Sequence, residues 1–112
     1  MCLFCKIAAK QIPAKIAFED DDLLAFHDIN PGAPTHLLVI PRKHLSSLDE
    51  ASADDQALLG KLLLACQRVA REQGLVQSGF RVVANTGPNA GQSVFHLHLH
   101  VLGGRAMAWP PG

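Results

Sequence analysis

The sequence predicts an α+β domain: one five-stranded antiparallel sheet with one long and one short helix. Three observations carry this. His96-Leu97-His98-Leu99-His100-Val101-Leu102 alternates histidine with apolar side chains, the period of two that marks a strand with unlike faces. Leu58, Leu59, Leu62, Leu63, Cys66, Val69 and Ala70 recur at helical spacing and make an apolar stripe about 100° wide. The connections between apolar segments are mostly short, which favours antiparallel pairing. At 112 residues, 48% of them hydrophobic, the chain suits a single domain, residues 1–112, with a substantial core.

Taken in order, residues 2–10 predict a short helix on which Leu3, Phe4 and Ile7 share a face. Gln11-Ile12-Pro13 ends it. Residues 15–19 and 23–28 read as a hairpin around the acidic turn Asp20-Asp21-Asp22. Asn30-Pro31-Gly32-Ala33-Pro34 is a rigid loop, and residues 36–41 are a buried strand closed by Pro41. Ser52 is the expected N-cap of the long helix, with Asp54 and Asp55 where negative charge suits the helix dipole. Gly74 is its expected C′ residue. Residues 80–84 form a strand, 85–93 a polar loop, and 94–102 the histidine strand, which Gly103-Gly104 stops.

Ten Lys and Arg residues balance ten Asp and Glu, and no basic stripe appears, so a nucleic-acid partner is not expected. No apolar run reaches the roughly 18 residues of a membrane span, and residues 1–20 lack the apolar segment of a secretory signal. The expected location is the cytoplasm, without a membrane partner. Cys2, Cys5 and Cys66 are too few and too uneven for a disulfide framework, and Cys66 lies in the helix stripe and reads as core. His27 is a strand residue without an assigned role.

Three histidines on one strand face need a shared reason. The outer pair, His96 and His100, lie about 13 Å apart at ~3.3 Å per residue, too far to share one ion comfortably. Nucleophilic catalysis suits the pattern better, because a neutral imidazole attacks phosphorus or an acyl carbon without a separate base. The central His98 is the best placed nucleophile, and His36 adds a fourth imidazole from another strand. The loop before the triad holds Asn85, Gly91, Gln92 and Ser93, whose amide, hydroxyl and backbone N–H donors suit phosphate oxygens.

His-φ-His-φ-His-φ-φ, with φ apolar, resembles the motif of the histidine triad (HIT) superfamily. The run from Gly91 to Arg105, with Ile12-Pro13-Ala14-Lys15, the segments around Asp28 and His36, and Trp109-Pro110-Pro111-Gly112, is similar to its Hint branch over essentially the whole chain. The resemblance implies a HIT-like fold whose sheets pair into ten strands in a homodimer. It implies hydrolysis of purine nucleoside 5′-phosphoramidates through a covalent nucleotidyl-histidine on His98. His100 and His36 would contact the phosphate or relay protons, His96 would orient His98, Asn85 would bind a phosphate oxygen, and Ser93 would bond the leaving group. Asp28 would take the ribose hydroxyls, Leu3, Phe4, Ile7 and Ile29 would line the base pocket, and Trp109 would reach the neighbouring subunit's site. Catalysis would need no cofactor. Dinucleoside polyphosphate hydrolysis and a zinc- or nucleotide-binding interaction module with little turnover are the alternatives.

Cys2 and Cys5 stand at metal-ligand spacing. Some superfamily members hold a structural zinc on such a pair with two histidines, which here would be His44 and His96. Two ordinary buried thiols on a short helix are the other reading.

Overall fold

The computed structural model describes residues 2–112. Its elements are α1 (Leu3–Ala8), β1 (Ile16–Glu19), β2 (Leu23–His27), β3 (Thr35–Pro41), α2 (Gln56–Glu72), β4 (Phe80–Val83) and β5 (Leu99–Gly103). The strands form one antiparallel sheet in the order β1-β2-β3-β5-β4, with the long and short helices that the sequence predicts. No helix among the described residues is long and apolar enough to cross a membrane.

The period-two alternation sends side chains to two layers. Leu23, Ala25, Leu37, Val39, Leu97, Leu99 and Val101 pack beneath α2 against Leu62, Cys66, Val69 and Ala70. The alternate residues Leu24, Phe26, Leu38 and Ile40 face the other way and meet Phe4 and Ile7 of α1. The histidines share that second face, because His100 stands opposite Leu38 in the β3–β5 register.

The long helix starts later than its stripe suggests. Ser52 caps a 3₁₀ turn, Ala53–Asp55, through a capping box in which the Asp55 carboxylate accepts the Ser52 N–H at 3.0 Å. The α-helix follows from Gln56, and the chain leaves it at Gly74. The buried stripe is narrower than expected: Leu62, Cys66, Val69 and Ala70 are inside, while Leu63 is exposed. Periodicity marks an apolar face but does not say what covers it.

The histidine strand is also shorter than residues 94–102. β5 begins at Leu99, and His96 and His98 lie in the segment before it. On one flank β4 ends at Val83, opposite His100; on the other, the β3 pairing stops at Val39, opposite Leu99, although β3 itself runs on to Pro41 beside β2. The chain stays aligned through other bonds, with Leu97 N–H donated to the Leu45 carbonyl at 2.6 Å. Leu97 still reaches the α2 core, so the alternation persists where the ladder has stopped.

At the far end of β5, Gly103 lies under Leu75. A Cβ there would stand 2.7 Å from Leu75 Cδ1 and 2.8 Å from Cδ2, and Leu75 is itself buried. Gly103→Ala is therefore expected to lower stability by about 1–3 kcal/mol, as overpacking does, read as a lower urea midpoint at unchanged slope.

Candidate functional site

The face shared by the histidines opens into a cleft of about 500 Å³ between α1 and the ends of β2, β3 and β5. Its apolar wall includes Leu3, Phe4 and Ile7, and its polar wall includes Asp28, His36, Ser93, His98 and His100. Asp28 reaches the cleft because it continues the Leu24–Phe26 side of β2. His36 and His100 meet diagonally across the β3–β5 pair, the reach expected of ring side chains. Volume and mixed lining suit a ligand of nucleotide size.

Hydrogen bonds assign each ring's proton. His98 Nδ1–H donates to the His96 carbonyl at 2.6 Å, which leaves the Nε2 lone pair free. Phe4 stacks edge-on against His98 with centroids 5.1 Å apart and holds the ring's orientation. His36 Nδ1 accepts the Gly32 N–H at 2.9 Å, so a neutral His36 carries its proton on Nε2. That Nε2–H lies 2.8 Å from His100 Nδ1 and 3.4 Å from the Asp28 carboxylate. His100 Nδ1 is then an acceptor, and its proton sits on Nε2. His100 Nε2 is buried with no hydrogen-bond partner. A buried donor without an acceptor is costly, and it points to an oxygen that a ligand would supply.

His36 and His100 are poised to stay neutral. Desolvation lowers the pKa of His36, opposed by the Asp28 charge. Desolvation, then His98 and His36, push His100 down to about 4. The proton on His36 Nε2 also speaks against a cation between Asp28, His36 and His100, although their ligand atoms lie within 4.8 Å of one another. With Nδ1 accepting from Gly32, a metal on Nε2 would require an imidazolate.

A second cluster is built differently. Cys2 and Cys5 come from the start of α1, His44 from the connection after β3, and His96 from the head of the triad. His96 Nδ1 lies 3.3 Å from Cys2 Sγ, 3.5 Å from Cys5 Sγ and 3.1 Å from His44 Nδ1. His44 Nδ1 lies 3.6 and 3.4 Å from the same two sulfurs. A tetrahedron with metal–sulfur and metal–nitrogen bonds of about 2.3 and 2.0 Å has edges of roughly 3.5 Å. His96 Nε2–H donates to the Pro41 carbonyl at 2.8 Å, so Nδ1 presents a lone pair to the sulfurs. A ligating histidine typically has such an outer partner. The residues fit a metal ion.

Other expected site residues stand elsewhere. The Gln92 amide accepts from Gly87 N–H and donates to the Ser46 and Val94 carbonyls, so it braces the loop. The backbone N–H groups of Gly91 and Gln92 bond to Pro88 and Gly87, contrary to the expectation of free donors there. Asn85, Gly91, Gln92 and Trp109 do not line the cleft of their own chain. Trp109 is 81% exposed and Ile29, at the cleft rim, 90%. His27 and Asn30, given no role by the sequence, do line it. Their only signal was adjacency to Asp28.

A family model described as the HIT domain matches residues 9–107. An uncharacterized HIT-like protein of Synechococcus elongatus is 54% identical over 110 residues, 98% of this chain and 96% of that one. Protein HitA of Neisseria gonorrhoeae is 51% identical over 102 residues, 91% of this chain and 94% of its own. Among solved structures, a HIT family hydrolase from Legionella pneumophila superposes with a TM-score of 0.98 at 51% identity, over 100% of both chains. A histidine triad protein from Clostridium difficile gives 0.92 at 43% identity, over 96% of this chain and 93% of that one.

The depressed His100 pKa has a consequence for stability. Between about 6.5 and about 4 the unfolded chain binds a proton at residue 100 that the folded chain does not, so stability is full above pH 6.5 and falls as the pH drops toward 4. Urea midpoints measured across that window should fall with pH, and His100→Asn should flatten the slope.

Proposed function

The chain belongs to the HIT family, and from that premise we propose that it hydrolyses purine nucleoside 5′-phosphoramidates through a nucleotidyl-histidine on His98. The observation that carries this reading is the paired state of two rings in the cleft. His98 keeps a free Nε2 lone pair while His100 holds a buried, unpartnered Nε2. One is a nucleophile and the other a donor for a non-bridging phosphate oxygen.

In the first step His98 Nε2 attacks phosphorus in line, and the P–N bond to the leaving amine breaks. The amine departs with a proton that Ser93 or the histidine network passes on from solvent, and the attacking water of the second step returns a proton by the same route. His98 Nδ1–H, held by the His96 carbonyl, carries the positive charge of the nucleotidyl-imidazolium against that carbonyl dipole. In the second step water attacks phosphorus, the P–N bond to His98 breaks, and the nucleoside monophosphate leaves. Two inversions give retention at phosphorus. Asp28 suits the ribose hydroxyls, and Leu3, Phe4, Ile7 and Ile29 suit a purine. His36 completes the relay to His100. No cofactor enters these steps.

The four-residue cluster suits zinc, since two thiolates and two imidazoles close its coordination shell and leave no open position for chemistry. Its role would be structural: it fixes His96, whose carbonyl holds His98. A homodimer belongs to the same reading. The strand β4 leaves one sheet edge unpaired, Leu63 is exposed near Val82 of that strand, Phe80 is exposed on it, and Trp109 stands free to reach a second copy.

Adenosine 5′-phosphoramidate turnover with rapid-quench intact mass tests the chemistry. The wild type should release amine and trap a nucleotidyl adduct, whereas His98→Ala should lose at least about 10³-fold in rate and show no adduct while still binding nucleotide. Binding without amine release by the wild type would sink the assignment. For the cluster, native mass should show one zinc per chain, and a chelator should lower the thermal midpoint of the wild type but not of Cys2→Ser/Cys5→Ser.

A further inference from the structure

The relay that sets His100 begins outside the cleft, at the loop 30–34. Gly32 is held from both sides. Its N–H donates to His36 Nδ1 at 2.9 Å, and its carbonyl accepts from Arg105 Nη2 at 3.0 Å. Arg105 lies two residues beyond β5, 73 positions from Gly32 in the chain, and its guanidinium also reaches the Ala106 carbonyl at 3.2 Å. It makes no ion pair among the described residues and does not line the cleft.

The chain is shaped to bring it there. Gly104 adopts φ +92°, and a Cβ on it would stand 2.9 Å from Pro34 Cβ. Only a glycine lets the end of β5 turn this tightly on the loop. A Cβ on Gly32, by contrast, would meet nothing closer than 3.8 Å, and between the fixed φ angles of Pro31 and Pro34 its peptide groups are oriented by the two hydrogen bonds.

We propose that Arg105 is a positioning residue: by holding the Gly32 carbonyl it keeps the Gly32 N–H on His36 Nδ1, and so fixes the tautomers of the His36–His100 pair with Nε2–H of His100 facing the reacting phosphate. The logic runs through single protons. With Gly32 N–H in place, a neutral His36 can carry hydrogen only on Nε2, and His100 Nδ1 must accept it. Without it, His36 can hold its proton on Nδ1. His100 Nδ1–H then donates to His36 Nε2, and His100 Nε2 turns a lone pair toward the phosphate oxygens, where it repels them. Arg105 touches neither substrate nor the reacting atoms.

The tautomer part stands on the free protein, while the rate part rests on the hydrolase reading above. Imidazole ¹⁵N spectra separate the two. In the wild type, His36 and His100 should each show a pyridine-type Nδ1 and a pyrrole-type Nε2. In Arg105→Ala the two ring shifts of each should converge toward averaged values. The kcat for adenosine 5′-phosphoramidate should fall by about 5- to 10-fold with KM nearly unchanged, the scale of one lost hydrogen bond. Arg105→Lys, which can still donate to the carbonyl, should recover most of both. Unaltered ¹⁵N shifts in Arg105→Ala, or a loss confined to KM, would overturn the proposal. Absence of turnover in the wild type with the tautomer pattern intact would overturn the hydrolase reading and leave the positioning role supported.

Discussion

His96 serves the two halves of the site at once, and the bond from His98 Nδ1–H to its carbonyl is the constraint on which the proposed chemistry depends. In stability terms such a bond contributes about 1 kcal/mol. Its weight lies in selection: it decides which nitrogen of His98 faces the cleft. The carbonyl is held in turn by what happens to the same residue's ring, which is fully buried between the Pro41 carbonyl and the cysteine pair. One residue thus couples a candidate metal cluster to the proposed nucleophile through a single backbone peptide.

The surrounding histidines are arranged so that one proton settles the next. Desolvation dominates at His36, His96 and His100 and lowers all three. Rings at these spacings could not all be charged, so neutrality is the stable state and the tautomer becomes the variable. Backbone groups then choose it: Pro41 for His96, His96 for His98, Gly32 for His36. Among the described residues one carboxylate pairs with these rings, that of Asp28, 3.4 Å from His36 Nε2. A site of neutral donors and acceptors suits an anionic phosphate, which brings its own charge.

Much of this was legible in the sequence. The two-layer sheet follows from alternation in residues 23–27, 37–40 and 97–101, and Ser52 and Gly74 mark the long helix to within one 3₁₀ turn. What misled was local evidence read as tertiary. Leu63 fits the helical stripe yet is exposed, because the stripe spans both the core face and a surface that no other element covers. His96 and His98 fit a strand yet lie ahead of the ladder, whose last pairs are Val83 with His100 on one flank and Val39 with Leu99 on the other. Gln92 fits a phosphate loop yet braces it, since nothing in its position reveals that Ser46 and Gly87 lie within reach.

The sequence by itself determined the fold class, the common side of the three histidines and their kinship, because periodicity and a contiguous motif are local properties of the chain. Only the tertiary structure decided which protons those histidines carry. Tautomers depend on partners distant in sequence: His96 is fixed by Pro41, 55 positions away, and the Gly32 that sets His36 is itself held by Arg105, 73 positions away. The same holds for the cluster of Cys2 and Cys5 with His44 and His96, whose ligand atoms are separated by up to 94 positions in the chain, while the histidine nitrogens lie 3.1 to 3.6 Å from one another and from the sulfurs. Hydrogen-bond and ligand geometry are set to tenths of an ångström by packing between elements, and no spacing within one element encodes them.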